Sequence, residues 1–160
     1  MHLYLVQHAD ALTDDIDPAR PLSERGSADI ERVAILLSGR LPGLSHILHS
    51  GKTRARQTAE ILARALSAGA VIEQAHGLNP LDDPEPFARR VDTSDEDLML
   101  VGHLPFMARL ASFLLTRDPK AEVIVFQPGT VLCLEGDGGT WRVAWMLRTE
   151  LLVPGGNQER

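Results

Sequence analysis

Three short apolar runs in this chain each break off in a histidine: HLYLVQH ending at His8, SHILH ending at His49 and DLMLVGH ending at His103. Runs this brief, rich in Leu, Val and Ile and bounded by polar turns, read as buried strands. The stretches between them change period. In PLSERGSADIERVAILLSGRLPG, Ile30, Val33, Ala34 and Leu37 recur at helical spacing behind Ser23, which fits an N-cap, and Gly39, Pro42 and Gly43 end the helix. From about Thr53 to Ser67, Ala55, Ala59, Leu62, Ala63 and Leu66 fall on one helical face. LPFMARLASFLLTR, with Pro105 in its first turn, is a third helix.

Weaker signals fill the remainder. AVIE reads as a brief strand, GLNPLDDPEP as loop, and the stretch near Phe87 to Val91 as a short helix. Beyond Pro119, EVIVF, TVLCLEG and TWRVAWML read as strands, with Asp137-Gly138 turning the last two into a hairpin. Strands alternating with helices, closed by a hairpin, predict an α/β fold: a three-layer α/β/α sandwich with a mostly parallel central sheet. Residues 1–153 form one domain in this reading, and the tail PGGNQER (154–160) is frayed.

A chain of 160 residues can bury roughly 70% of its unfolded surface. Its net charge of -6 argues against a nucleic-acid binder. No apolar run approaches the roughly 20 residues that span a bilayer, and no secretory signal is visible. The lone Cys133, in the apolar TVLCLEG, reads as a core residue and excludes an internal disulfide. The expected location is cytoplasmic, with no membrane and no nucleic-acid partner.

The chemistry is at the strand ends. In an open α/β sheet, ligands bind in the crevice at the carboxyl ends of the strands. There this chain offers Gln7-His8, His49-Ser50 with Lys52 and Arg54 following, and Gly102-His103. Two imidazoles and a guanidinium, with helix N-termini nearby, suit an anion. They also suit phosphoryl transfer through histidine, in which a neutral ring nitrogen attacks phosphorus and cations stabilise the equatorial oxygens. Such chemistry needs no cofactor. The histidines are too scattered for a metal site, and no G-x-x-x-x-G-K-[ST] loop is present. Plainer readings stand beside these. His46, His49 and His76 read as turn or surface residues, KTRAR as a solvated helix face, and Asp14, Asp15 and Asp17 as a soluble loop.

The order of these motifs resembles the histidine phosphatase superfamily, with its phosphoglycerate mutase-like fold, and within it the small SixA-like phosphohistidine phosphatases. The opening Arg-His-Gly or Arg-His-Ala is similar to Gln7-His8-Ala9, and R-P-L-[ST]-x-x-G to Arg20 through Gly26. S-x-x-x-R-A-x-Q-T is similar to Ser50 through Thr58, and G-H-x-P to Gly102 through Pro105. The resemblance implies that His8 is a transiently phosphorylated nucleophile and that Arg54 and His103 are catalytic phosphate ligands. Gln7, Arg20 and Ser50 would complete the substrate site, and Arg56 would be surface. It implies a phosphorylated protein as partner, a histidine-containing phosphotransfer domain being one candidate.

Two departures follow. Gln7 stands where the family carries arginine, and an amide offers neither charge nor the guanidinium fork. Arg20 or Lys52 is expected to supply compensating charge. No general acid stands out either: where a glutamate is sought, HGLNP has Gly77, leaving Asp10 and the Asp14 to Asp17 loop as candidates and Glu73 as a poor one. Phosphohistidine asks less of an acid, because a protonated phosphoramidate nitrogen leaves readily. The alternatives are a phosphate or phosphoprotein binding module and a small-molecule phosphatase or mutase of the same fold.

Overall fold

The computed structural model describes residues 1–66 and 69–152. The expected frayed tail and the expected helix end at Ser67 lie outside the described residues. The elements are β1 (His2–Gln7), α1 (Glu24–Leu37), β2 (Leu44–His49), α2 (Thr53–Leu66), β3 (Val71–Gln74), α3 (Glu85–Asp92), β4 (Asp97–Gly102), α4 (Phe106–Thr116), β5 (Val131–Asp137) and β6 (Thr140–Leu147). They form one six-stranded sheet in the order β3-β2-β4-β1-β5-β6. The first four strands of that order run parallel, β5 lies antiparallel to β1, and β6 completes the hairpin.

Alternation along β1 builds both halves of the core, since successive strand side chains point to opposite faces. Leu3 and Leu5 enter a cluster with Phe87 of α3 and Phe106 and Leu110 of α4. Tyr4 and Val6 enter another with Ile30 and Val33 of α1 and Ala59 and Leu62 of α2. The helices therefore cover both faces, giving the expected three layers. Cys133 is buried opposite Tyr4, and burial pushes its thiol up to about 12. Ser23 caps α1 as read from sequence, its Oγ accepting the Gly26 N–H at 2.9 Å.

One strand is not formed. EVIVF runs beside α4 without a ladder, with Val123 and Val125 exposed and Phe126 buried. Strand propensity alone does not supply a partner, and β1, whose end this segment approaches, is already flanked by β4 and β5. Glu122, at φ 47, also breaks the extended run. The segment then returns to the end of β1, where the Gly129 N–H donates to Gln7 O at 3.0 Å.

Candidate active site

The order β2-β4-β1 sets three adjacent strand ends side by side, and each delivers a polar residue: Ser50, His103 and His8. His8 is fixed by its own backbone, its N–H donating to Gly102 O at 2.9 Å across the β1–β4 junction. Its Nδ1 lies 2.7 Å from Ala9 O, which can only accept, so the ring proton sits on Nδ1. Nε2 is thus left with its lone pair, 3.3 Å from Arg54 Nε, which donates to it. Burial lowers the His8 pKa to about 4; the Ala9 bond opposes this, while Arg54 and Arg20 add to it and Asp10 opposes it. At neutral pH His8 is an uncharged imidazole with an available nitrogen.

His103 faces it, with ring centroids 5.0 Å apart. Its Nε2 lies 2.6 Å from Ser50 Oγ, and the residue is almost wholly enclosed. Burial, then the competing His8 imidazole and the charges of Arg54, Lys52 and Arg20, lower its pKa to about 3. His103 Nδ1 and Gln7 Oε1 are both buried without a hydrogen-bond partner. Gln7 itself is 8% exposed, so an uncharged amide is buried at the end of β1, next in sequence to His8.

Arg20 reaches the same region from its loop: its Nε donates to Leu12 O at 3.1 Å, and its charge acts on His8, Arg54 and His103 alike. Burial, then Arg20, lower the pKa of Arg54, which still stays cationic. Lys52 is exposed and acts on His103 from the rim. Of the candidate acids, Asp10 is coupled to His8 and accepts the Ser23 hydroxyl at 2.6 Å. Asp14 and Asp15 are exposed, Asp17 caps the Ala19 N–H of its own turn, and Glu73 is exposed on β3.

His49 is corrected: it is a buried residue, 7% exposed, and its Nδ1 accepts the Gly51 N–H at 3.1 Å in the turn leading to α2. His46 is half-buried, while His76 and Arg56 are exposed as read. Sequence reasoning missed the frame. Ala9 N–H donates to Thr58 Oγ1 at 3.1 Å, and Leu22 N–H to Gln57 Oε1 at 2.8 Å. A Cβ at Gly26 would lie 2.0 Å from Asp10 O, so only glycine allows α1 this close to the loop that follows His8. Gln57, Thr58 and Gly26 all stand in the quoted motifs, which was the one signal available for them. Among the described residues, no group of three or more His, Cys, Asp or Glu could hold a metal ion.

This arrangement gathers an unprotonated imidazole nitrogen, the Arg54 guanidinium, the charge of Arg20 and a buried second imidazole at adjacent strand ends, a set of groups whose chemistry suits a tetrahedral oxyanion. The fold matches that of phosphoglycerate mutase-like histidine phosphatases. Within that class, solved neighbours include SixA proteins. The protein histidine phosphatase SixA complexed with tungstate aligns at TM-score 0.83 and 22% identity, over 95% of this chain and 99% of the other. The protein assigned as phosphohistidine phosphatase SixA from Agrobacterium tumefaciens aligns at TM-score 0.74 and 27% identity, over 96% and 98%. A phosphoserine phosphatase from Entamoeba histolytica, in complex with 3-phosphoglyceric acid, shares the fold at TM-score 0.72 and 13% identity, over 95% and 99%. No protein-family model matches the sequence, and the curated proteins give no match.

Proposed function

We propose that this chain is a phosphatase that works without a metal, forms a phosphohistidine intermediate on His8, and removes phosphate from phosphohistidine on a protein. The observation that carries this reading is the His8 ring. Its proton is held on Nδ1 by Ala9 O, so Nε2 stays a neutral nucleophile beside Arg54. In the first step Nε2 attacks phosphorus in line, and the bond from phosphorus to the substrate nitrogen breaks, the substrate ring, protonated on its other nitrogen, leaving as neutral imidazole. Arg54 moves its donor from Nε2 to a phosphoryl oxygen, and Arg20 and His103 stabilise the remaining charge. Water then attacks phosphorus, releasing phosphate and restoring neutral His8, with the water proton passing to Asp10 or solvent.

The SixA neighbours favour phosphohistidine as substrate class. The rim favours a protein as its carrier. Leu104, next to His103, is exposed, as is Ile16 in the loop after His8. Leu81 is exposed too, in the loop whose Leu78 carbonyl lies 3.5 Å from where a Gly102 Cβ would stand. A protein carrier would cover these side chains, whereas a small, fully hydrated phosphate ester would not.

The test is trapping with a labelled phosphohistidine protein. The expected result is an acid-labile phosphoenzyme that His8→Ala abolishes, with turnover exceeding that on sugar phosphates and an aryl phosphate. Gln7 favours one other reading, a phosphoprotein-binding module, because it withholds a charge from the end of β1. Absence of label with anion binding intact would select that module, and faster turnover of sugar phosphates would select a small-molecule phosphatase.

A further inference from the structure

Four hydrogen bonds close a ring around the nucleophile. His8 Nδ1 donates to Ala9 O at 2.7 Å. Ala9 N–H donates to Thr58 Oγ1 at 3.1 Å, and the Thr58 hydroxyl donates to Arg54 O at 2.8 Å. The Arg54 Nε–H returns to His8 Nε2 at 3.3 Å. Thr58 is the only side chain of the ring that carries no charge and no ring nitrogen. It is fully buried, so it cannot itself meet the substrate.

We infer that Thr58 is a positioning residue that sets His8 and Arg54 against each other. Its hydroxyl accepts from the peptide next to the nucleophile and donates to the backbone of the phosphate ligand one helical turn earlier. Strand β1 and helix α2 are thereby tied at the atoms on which the reaction depends. The Ala9 backbone held in this way presents the carbonyl that keeps the His8 proton on Nδ1, so Thr58 acts on tautomer and ring orientation together. Two other hydroxyls near these strand ends are engaged elsewhere: Ser50 Oγ lies against His103, and Ser23 Oγ bonds Asp10 and Gly26.

This inference rests on His8 being the nucleophile, and the experiment separates the two. In Thr58→Val the shape is kept, and only the hydroxyl is lost; Thr58→Ser keeps the hydroxyl and loses the methyl. Turnover of a phosphoramidate is measured alongside ¹⁵N NMR of the His8 imidazole. Misplacement of a reacting group by about 1 Å costs roughly 10²-fold. The expected result is therefore a drop in kcat of about 10- to 100-fold in Thr58→Val with KM little changed, a His8 ring no longer confined to the Nδ1–H tautomer, and recovery of both in Thr58→Ser. Unchanged kcat and tautomer in Thr58→Val would overturn the inference, as would Thr58→Ser being as impaired as Thr58→Val. If the wild type forms no phosphoenzyme at His8, the functional reading fails, and the NMR measurement still decides the ring. Should the valine variant not fold, the wild type decides alone: the ring predicts a protected Ala9 amide and a His8 proton on Nδ1. A fast-exchanging Ala9 amide, or a proton on Nε2, would overturn it.

Discussion

Acid should destabilise this protein through the two neighbouring imidazoles at the ends of β1 and β4. Both are held neutral in the fold, His8 with its pKa lowered from 6.5 to about 4 and His103 from 6.5 to about 3. In the window between these values and 6.5 the unfolded chain binds protons that the folded chain refuses. Stability therefore rises with pH through that window and falls as the solution is acidified. One pKa unit corresponds to about 1.4 kcal/mol. Each imidazole then withdraws about 2 kcal/mol between pH 7 and 5, before the carboxylates titrate, or about 4 kcal/mol together. Burial lowers His49 as well, which acts in the same direction. Set against a typical domain stability of roughly 5–15 kcal/mol, the effect is large enough to move a urea midpoint visibly. Equilibrium urea unfolding at pH 7, 6 and 5 should show it in the wild type. The slope should flatten in the His8→Gln, His103→Gln double variant, which has no such protons to take up. Parallel pH profiles for the two proteins would refute the reasoning.

Gly26→Ala should destabilise the fold by about 3 kcal/mol, the upper end for overpacking, because the new Cβ would meet the Asp10 backbone carbonyl at 2.0 Å. Urea unfolding would show this, turnover should fall with it because Asp10 lies two residues from His8, and an unchanged midpoint would count against the close approach. Gln7→Arg adds a charged donor at the end of β1, and a single transition-state donor is worth about 10²–10³ in rate. Turnover of an aryl phosphate should rise and the Kd for tungstate should fall; titration and kinetics that match the wild type would show that residue 7 does not face the anion.

Local patterns carried most of this architecture. Helical spacing at Ile30, Val33, Ala34 and Leu37 marked the face that α1 buries, and all four are in the core. The strand-end histidines are separated by long stretches of sequence, yet parallel pairing aligns the ends of β1, β2 and β4, so His8, Ser50 and His103 meet. Where pattern alone fell short, the missing information was a partner. EVIVF has the composition of a strand, but the strand whose end it approaches, β1, is already paired on both sides. His49 has the polarity of a surface residue, but the turn at Gly51 takes up its nitrogen and buries it. Thr58 and Gln57 are ordinary helix residues until α2 lies against the loops that hold Ala9 and Leu22, a contact no local window contains. Arg20 could be placed only as a residue of the loop; its left-handed backbone, φ 47, sets how it enters the site.

Strand β1 has a neighbour on each side and a layer of helices above and below. His8 therefore rides on the part of the molecule expected to open last, since core strands span the high-stability end of local opening. His8 is pinned there through its own amide to Gly102. Partial opening of the edge strand β3 or of the rim loops leaves that bond in place. Loss of catalytic competence under heat or urea should accordingly coincide with global unfolding, so that residual activity serves as a direct gauge of how much of the population is native.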